Sequence, residues 1–310
     1  MVTVSVILPS YNRRGFLEAA VASVFAQTYT DWELIIADDG SAEDARAFLR
    51  SLGPPARVLW LEHCGNPGRV RNAAMHAARG RYLAFLDSDD VFFPEKLAKQ
   101  VRALDASPCA RWSYTLEALI DAEGQDRPRG ALPRFAPRAG WVFEPLLRVE
   151  LSVPMLAVMA RRDLLDEIGG FDERLRFGEW HDLCLRMALR SEVLVVPEVL
   201  CAIRLHGEHY TADRIAEQRG WLQLYRQMAD IAPSGRLRAE CLRICSQTSL
   251  QLAHTESARG EFSGALGTLW HALPYSWASL SWWRGVARQL LKPLVPARLR
   301  AVLRRSRLPP

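Results

Sequence analysis

The sequence predicts an α/β fold built on a parallel, doubly wound sheet, and three observations carry that expectation. Apolar runs of strand length alternate with helix-period segments through residues 2–104, the rhythm that successive βαβ units require. Two of those runs end abruptly in carboxylates, at Asp38-Asp39 and at Asp87-Ser88-Asp89-Asp90. The run before the second cluster, Tyr82-Leu83-Ala84-Phe85-Leu86, is uncharged throughout, as a strand covered on both faces is. Ligands of open α/β sheets bind beyond the C-terminal ends of the strands, so both acidic clusters fall where chemistry is expected.

Taken in order, residues 2–8 are rich in β-branched side chains and read as the first strand, and Pro9-Ser10-Tyr11-Asn12-Arg13 is a polar turn into a helix. Phe16, Leu17, Val21, Val24 and Phe25 lie roughly on one face of that helix. A second unit follows, with a strand over 32–37, the turn Asp38-Asp39-Gly40-Ser41 and a helix over 45–52. A third strand at 58–61 gives way to the loop Gly65-Asn66-Pro67-Gly68, a helix over 69–78 and the central strand at Tyr82. Phe93-Pro94-Glu95-Lys96-Leu97 is a helix start, and that helix runs over 94–104. Beyond it the elements shorten: a strand at 112–116, a turn at Asp121-Ala122-Glu123-Gly124 and a Pro-rich loop over 128–137 that reads as a lid or acceptor surface. A strand at 153–159, a helix over 162–168 ended by Gly169-Gly170, a helix over 180–189 and strands at 193–196 and 200–205 complete this part. From about Ile215 onward the chain reads as wholly helical.

Composition sets the outer bounds. With 310 residues, 49% of them hydrophobic, the chain has material for one large domain or two unequal ones. The N-terminus lacks the basic n-region and apolar run of a signal peptide, and no stretch is long enough to span a membrane. Cys64, Cys109, Cys184, Cys201, Cys241 and Cys245 show no paired metal-type spacing and read as reduced, mostly buried thiols. The net charge of +5 is concentrated at the C-terminus. The basic residues are not interleaved with stacking aromatics on the strands, so nucleic-acid binding is not expected. No nucleophile loop or Gly-rich phosphate motif supports a phosphatase or nucleotidyltransferase.

From residue types alone, Asp87 and Asp89 suit a shared Mg²⁺ or Mn²⁺, because hard cations take oxygen ligands. The same cluster also reads as a solvated acidic loop or a helix cap. The pieces together are more specific. Val4 to Asn12, Ser23 to Thr28, Asp31 to Ser41, Arg71-Asn72-Ala73-Ala74, Gly80-Arg81-Tyr82, Leu86 to Asp90 and Gly169-Gly170-Phe171-Asp172-Glu173 resemble, in the same order, the motifs of the family 2 glycosyltransferases. The resemblance spans roughly residues 3–207. It implies a GT-A type, Rossmann-like mixed sheet flanked by helices over 1–210, with a nucleotide-binding half at 1–105 and an acceptor half at 106–210. A helical C-terminal region would occupy 211–310.

The activity implied is transfer of a sugar from a nucleotide-diphosphate sugar, a UDP-sugar in the first instance, to a hydroxyl of a glycan or lipid-linked acceptor with inversion. By the resemblance, Pro9, Tyr11 and Asp39 hold the nucleotide base, with Asp38 read equally as a site residue or a helix cap. Arg71 approaches the diphosphate or forms a surface ion pair. Asp87 and Asp89 hold Mn²⁺ or Mg²⁺, and His206 in Arg204-Leu205-His206-Gly207 lines the metal or diphosphate site. The family's base usually lies in an acidic pair before a helix; this chain reads Gly178-Glu179-Trp180-His181-Asp182, with Trp180 at the usual base position. The catalytic carboxylate is then Glu179 or Asp182, three residues apart on one helical face, with Arg186 placed to pair with Asp182. The competing reading is a nucleotide-sugar-binding protein on the same fold with no turnover.

The last residues add a partner. Trp277, Leu280, Trp282, Trp283, Val286, Leu290, Leu291, Leu294, Val295, Leu299, Val302 and Leu303 stand among eight Arg and Lys residues, with no acid after Glu261. Aromatic and aliphatic residues beside unopposed cations are what an interfacial helix on anionic lipid needs, and Pro293 and Pro296 break the segment too often for a span. The expected location is the cytoplasm, peripheral to the inner face of the plasma membrane.

Overall fold

The computed structural model describes residues 2–128, 130, 135–206, 213–277 and 279–291. The chain forms two compact units, Met1–Tyr210 and Thr211–Pro310. The first begins with β1 (Val4–Ser10), α1 (Arg14–Phe25), β2 (Trp32–Asp38), α2 (Glu43–Ser51), β3 (Ala56–Trp60), α3 (Pro67–Ala77) and β4 (Tyr82–Phe85). It continues through β5 (Val91–Phe92), α4 (Lys96–Asp105), β6 (Trp112–Ile120), α5 (Phe143–Leu147), a 3₁₀ turn (Met155–Ala157), β7 (Val158–Arg161), α6 (Arg162–Ile168), α7 (Glu179–Ala188) and β8 (Val193–Arg204). The eight strands form one sheet in the order β3-β2-β1-β4-β7-β6-β8-β5.

The sheet is mixed. Strands β3, β2, β1 and β4 are parallel, with every residue of β2 and β4 buried, so the uninterrupted apolar run at Tyr82 behaves as a strand covered on both faces. Strand β7 then runs antiparallel between β4 and β6, β6 and β8 are again parallel, and β5 is antiparallel to β8, so the continuous parallel run ends at β4. The expected strand at 153–159 starts only at Val158, because Met155–Ala157 makes a 3₁₀ turn after Pro154. The two strands expected at 193–196 and 200–205 are one strand, β8, whose register against β6 skips Pro197 and Glu198. Proline cannot donate to a ladder, and a bulge accommodates it.

The N-terminal ends of the strands are tied by a buried polar network. Ser5 Oγ donates to Glu33 (2.7 Å) and accepts from the Gly80 N–H (2.8 Å), while Glu33 accepts from the Arg79 backbone and guanidinium (2.6 and 3.0 Å). Gly80 lies so close to β1 that a Cβ there would sit 2.4 Å from the Ser5 nitrogen.

The second unit is α8 (Arg214–Ile231), α9 (Gly235–Ala258), α10 (Phe262–Ser276) and α11 (Leu280–Leu291). Asp213 and Ser234 cap α8 and α9 through their side-chain oxygens. Ala253, Ala265, Leu269, Ala272, Trp282 and Val286 form its core, and buried Glu256 is met by Arg219 (2.7 Å) and Thr268 (2.8 Å). Trp282 and Val286, expected on a lipid-facing side, are therefore interior residues. Lys292, Pro293, Leu294, Val295, Pro296, Leu299, Val302 and Leu303 lie outside the described residues.

Candidate functional site

The C-terminal ends of β1, β2 and β4 and the start of α7 carry the polar side chains singled out by sequence. At the β1 end, Asn12 and Arg13 both adopt left-handed backbone, with φ of 57° and 52°. Asn12 donates its N–H to Ser41 Oγ (2.8 Å) and accepts from the Ala42 N–H (2.7 Å), which binds the Pro9 turn to the turn after β2. Tyr11, half exposed, stacks on His63 at 4.4 Å between ring centroids. Two non-glycine residues in the left-handed region are costly enough to mark a position the surrounding structure imposes.

Asp39 is buried beside His63 of that stack. Its two carboxylate oxygens accept the N–H groups of Cys64 (2.8 Å) and Gly65 (3.1 Å), and His63 Nδ1 lies 3.0 Å from Oδ2. Its neighbour Asp38 is fully buried; Oδ2 accepts the Ser41 N–H (3.1 Å) and faces Arg46 (3.4 Å), as a turn cap does. Asp38 Oδ1 and Ser10 Oγ, cross-strand partners in register, are both buried without a hydrogen-bond partner. An unpaired buried acceptor costs about 1–3 kcal/mol, and the cost falls at the strand ends beside Asp39.

The second cluster is organised by arginines. Arg71, one turn into α3 and 7% exposed at its side chain, donates from Nη2 to Asp87 (2.8 Å) and from Nη1 to Glu179 (3.1 Å). It thus joins the end of β4 to the start of α7, and its Nε has no partner. The alternative of a surface ion pair does not hold, since Arg71 is buried. Asp89 meets Arg13 Nη1 at 3.1 Å and His206 Nε2 at 3.0 Å, and the His206 ring stacks on Phe16. Asp90 does not cap the next helix: it accepts the Arg204 N–H (2.9 Å), and burial, with Asp87 and Asp89 nearby, pushes its carboxyl well above the usual carboxylate range.

The two carboxylates offered as base part company. Burial raises the Glu179 carboxyl, against the pull of Arg71. Asp182 is buried and held by Arg186, which also donates to the Ile168 carbonyl (2.7 Å). The structure therefore joins Glu179 to Asp87 through Arg71 and gives Asp182 to Arg186. Trp180 packs its ring against Phe85 (5.6 Å) and Phe171 and donates from Nε1 to the Val153 carbonyl (2.7 Å), so it anchors the first turn of α7. Burial brings His181 down to about 4. Sequence reasoning missed Arg13 and His63: one is 76 residues from its carboxylate, the other sits in a segment with no pattern of its own.

Asp87 and Asp89 after β4, and His206 after β8 and against Asp89, are hard or borderline donors. Mg²⁺ and Mn²⁺ are commonly held by one or two carboxylates together with substrate phosphates, and this donor set fits an ion shared with a diphosphate. No three His, Cys, Asp or Glu converge into a self-contained metal centre among the described residues.

Residues 5–138 match the family described as Glycosyl transferase family 2. The putative teichuronic acid biosynthesis glycosyltransferase TuaG of Bacillus subtilis (strain 168) is 40% identical over 124 residues, 39% of this chain and 49% of that protein. The UDP-Glc:alpha-D-GlcNAc-diphosphoundecaprenol beta-1,3-glucosyltransferase WfgD of Escherichia coli is 39% identical over 99 residues, 32% of this chain and 39% of that protein. The chain thus spans less than half the length of these curated relatives. Among solved structures, S. aureus TarS 1-349 in complex with UDP-GlcNAc superposes with a TM-score of 0.66 at 19% identity, over 88% of this chain and 82% of that one. The mannosyltransferase PcManGT from Pyrobaculum calidifontis, in complex with GDP-Man and Mn²⁺, gives 0.59 at 19% identity, over 94% of this chain and 80% of that one. At such identities the structural likeness speaks for the GT-A fold alone. The match, with the ordered motifs it contains, marks residues 5–138 of this chain as a glycosyl transferase family 2 segment.

Proposed function

We propose that the chain is an inverting glycosyltransferase that moves a sugar from a nucleotide-diphosphate sugar, read as a UDP-sugar, to a hydroxyl of a lipid-linked or cell-surface glycan. One observation carries the reading: buried Arg71 joins the carboxylate of Glu179 to that of Asp87, so a proton acceptor at the start of α7 and the acidic cluster after β4 meet on one guanidinium. The donor class is supported by TarS, crystallised with UDP-GlcNAc, and the lipid-linked acceptor by WfgD, named for one.

In this mechanism Glu179 takes the acceptor's hydroxyl proton as that oxygen attacks the anomeric carbon and the bond to the nucleotide diphosphate breaks on the opposite face. Tyr11, Pro9 and Asp39 form the base pocket, with Asp38 bracing the turn behind Asp39. Arg13 and Arg71 face the leaving diphosphate and hold the acidic cluster when no donor is present. A Mg²⁺ or Mn²⁺ held by Asp87 and Asp89, with His206 against Asp89, would supply positive charge against the leaving diphosphate.

The second reading, a nucleotide-sugar-binding protein without turnover, is favoured by one observation: Trp180 stands at the family's usual base position and is bound into the core. Release of nucleotide diphosphate from UDP-, GDP- and dTDP-sugars, with and without Mn²⁺ and with undecaprenyl-diphosphate-linked acceptors, separates the two. The transferase reading expects Mn²⁺-dependent release that falls by orders of magnitude in Asp89→Asn; donor binding without release from any of the sugars would establish the binder instead.

The two units make up one chain, and among the described residues no helix is long and apolar enough to cross a membrane. The domain division at about residue 210, the cytoplasmic location and the peripheral attachment form part of the same proposal.

A further inference from the structure

Helix α10 has an apolar side for its own core and a second apolar side that nothing in its unit covers. Ala265, Leu269, Ala272 and Ser276 are buried against the rest of the unit. Phe262, Leu266, Trp270 and Trp277 are 59, 57, 71 and 69% exposed. At roughly 100° per residue these four lie within an arc of about 80°, beside the buried arc and distinct from it. Leu280 and Trp283 at the start of α11 are exposed too, and Trp283 Nε1 donates to the Trp277 carbonyl (2.8 Å), which holds the two helices' apolar residues together. Single exposed hydrophobics are ordinary, but a row of three tryptophans with aliphatic neighbours is not.

Charge says what covers the row. Residues 262–283 contain no Asp, Glu, Lys or Arg, and from Arg284 to the C-terminus the sequence holds eight cations and no acid. Arg284 and Arg288 are exposed one turn apart on α11. A protein partner would have to be both apolar and strongly acidic to match this surface. The headgroup boundary of an anionic bilayer has both properties in the right layers: apolar acyl chains for Phe and Leu, an amphipathic interface for Trp, and negative charge for Arg. We propose that the Phe262-Leu266-Trp270-Trp277 face of α10, continued by Leu280 and Arg284 of α11, docks the chain on an anionic lipid surface, lying in the interface and not across it. The proposal names the surface on which a lipid-linked acceptor is presented, and in that respect it rests on the acceptor reading above.

The test is co-sedimentation of the full chain with vesicles of phosphatidylcholine alone or mixed with phosphatidylglycerol, at low and high salt and without any sugar nucleotide. Expected is partition onto the mixed vesicles at low salt that weakens about tenfold or more in Leu266→Ser/Trp270→Ser, since each of those side chains loses its apolar burial. Arg284→Gln/Arg288→Gln, which alters no core side chain, is expected to weaken partition about tenfold and to flatten its salt dependence. Absence of wild-type partition onto the mixed vesicles at low salt overturns the proposal, and so does equal partition of both variants and wild type. A dimer that Leu266→Ser/Trp270→Ser converts to monomer with vesicle partition unchanged also overturns it, making the face a contact between copies. Because no donor is present, failed partition leaves the transferase reading intact, and absence of turnover leaves this one intact.

Discussion

Replacing Glu179 with Gln isolates the proposed base from the pair that holds it. The amide is the same size, and its oxygen accepts the Nη1 hydrogen bond of Arg71, which keeps Asp87 at 2.8 Å. Losing the charge weakens one charge-assisted bond, by about 1 kcal/mol. Against this, burial raises the Glu179 carboxyl even with Arg71 beside it, so the charged form is costly in the folded chain and the amide avoids that cost. The two effects oppose, and the melting temperature is expected to stay within about 2–4 °C of wild type. Turnover, by contrast, loses its proton acceptor and falls about 10²–10⁴-fold, with donor binding retained. The pH profile adds a sign. With its folded pKa above the ordinary 4.5, protonated Glu179 favours the folded state; that contribution is complete below about pH 4.5 and lost as pH rises through the raised value, whereas turnover rises over the same window. In Glu179→Gln the part of both pH dependences owed to this carboxyl vanishes. Measuring sugar transfer, donor binding by calorimetry and thermal melting from pH 4 to 8 checks all three, and wild-type transfer rates or a persisting acidic limb in the variant would refute the assignment.

Two further outcomes follow from packing. Asp182→Asn breaks the buried pair with Arg186 and is expected to cost about 1–3 kcal/mol of stability by chemical denaturation while leaving transfer within about threefold of wild type; a large loss of transfer at unchanged stability would move the base to Asp182. Gly80→Ala drives a methyl group to 2.4 Å from the Ser5 nitrogen and 2.8 Å from Ser5 Oγ, so the α3–β4 loop must lift off β1. A loss of roughly 1–3 kcal/mol, seen as a melting point lower by several degrees, is the expected result, and an unchanged melt would contradict the close approach.

The parallel half of the sheet was legible because its signals are local. Val4, Val6, Ile7 and Leu8 are all buried, and Leu34, Ile35 and Ile36 are as apolar as a doubly covered strand requires. The acidic strand ends were legible for the same reason. Strand β8 was not: Pro197 broke the pattern into two apparent strands, and only the bulge against β6 makes it one. Nor was the partnership of the site residues. Arg13 meets Asp89 across 76 residues and Arg71 meets Glu179 across 108, contacts fixed by topology and invisible to periodicity. The departure at Trp180 was legible as a departure, but its cause was not, because the groups that receive it, Val153, Phe85 and Phe171, come from three separate segments. On α10, Phe262, Leu266 and Trp270 read simply as part of a helical region until burial separated the covered arc from the open one.

Asn72 reads both backbone groups of Phe171: its Nδ2 donates to the Phe171 carbonyl (2.9 Å) and to Glu173 Oε1 (3.0 Å), and its Oδ1 accepts the Phe171 N–H (2.9 Å). Asn66 adds a bond to the Glu173 carbonyl (2.7 Å), and Gly170, at φ 67°, leaves room that a Cβ would take, 2.7 Å from Asn72 Oδ1. Helix α3 and the loop after α6 are thereby stitched into one body on which Arg71 is mounted. Loosening Asn72 or Asn66 would therefore shift Arg71 between its two carboxylates without altering any charge in the cluster.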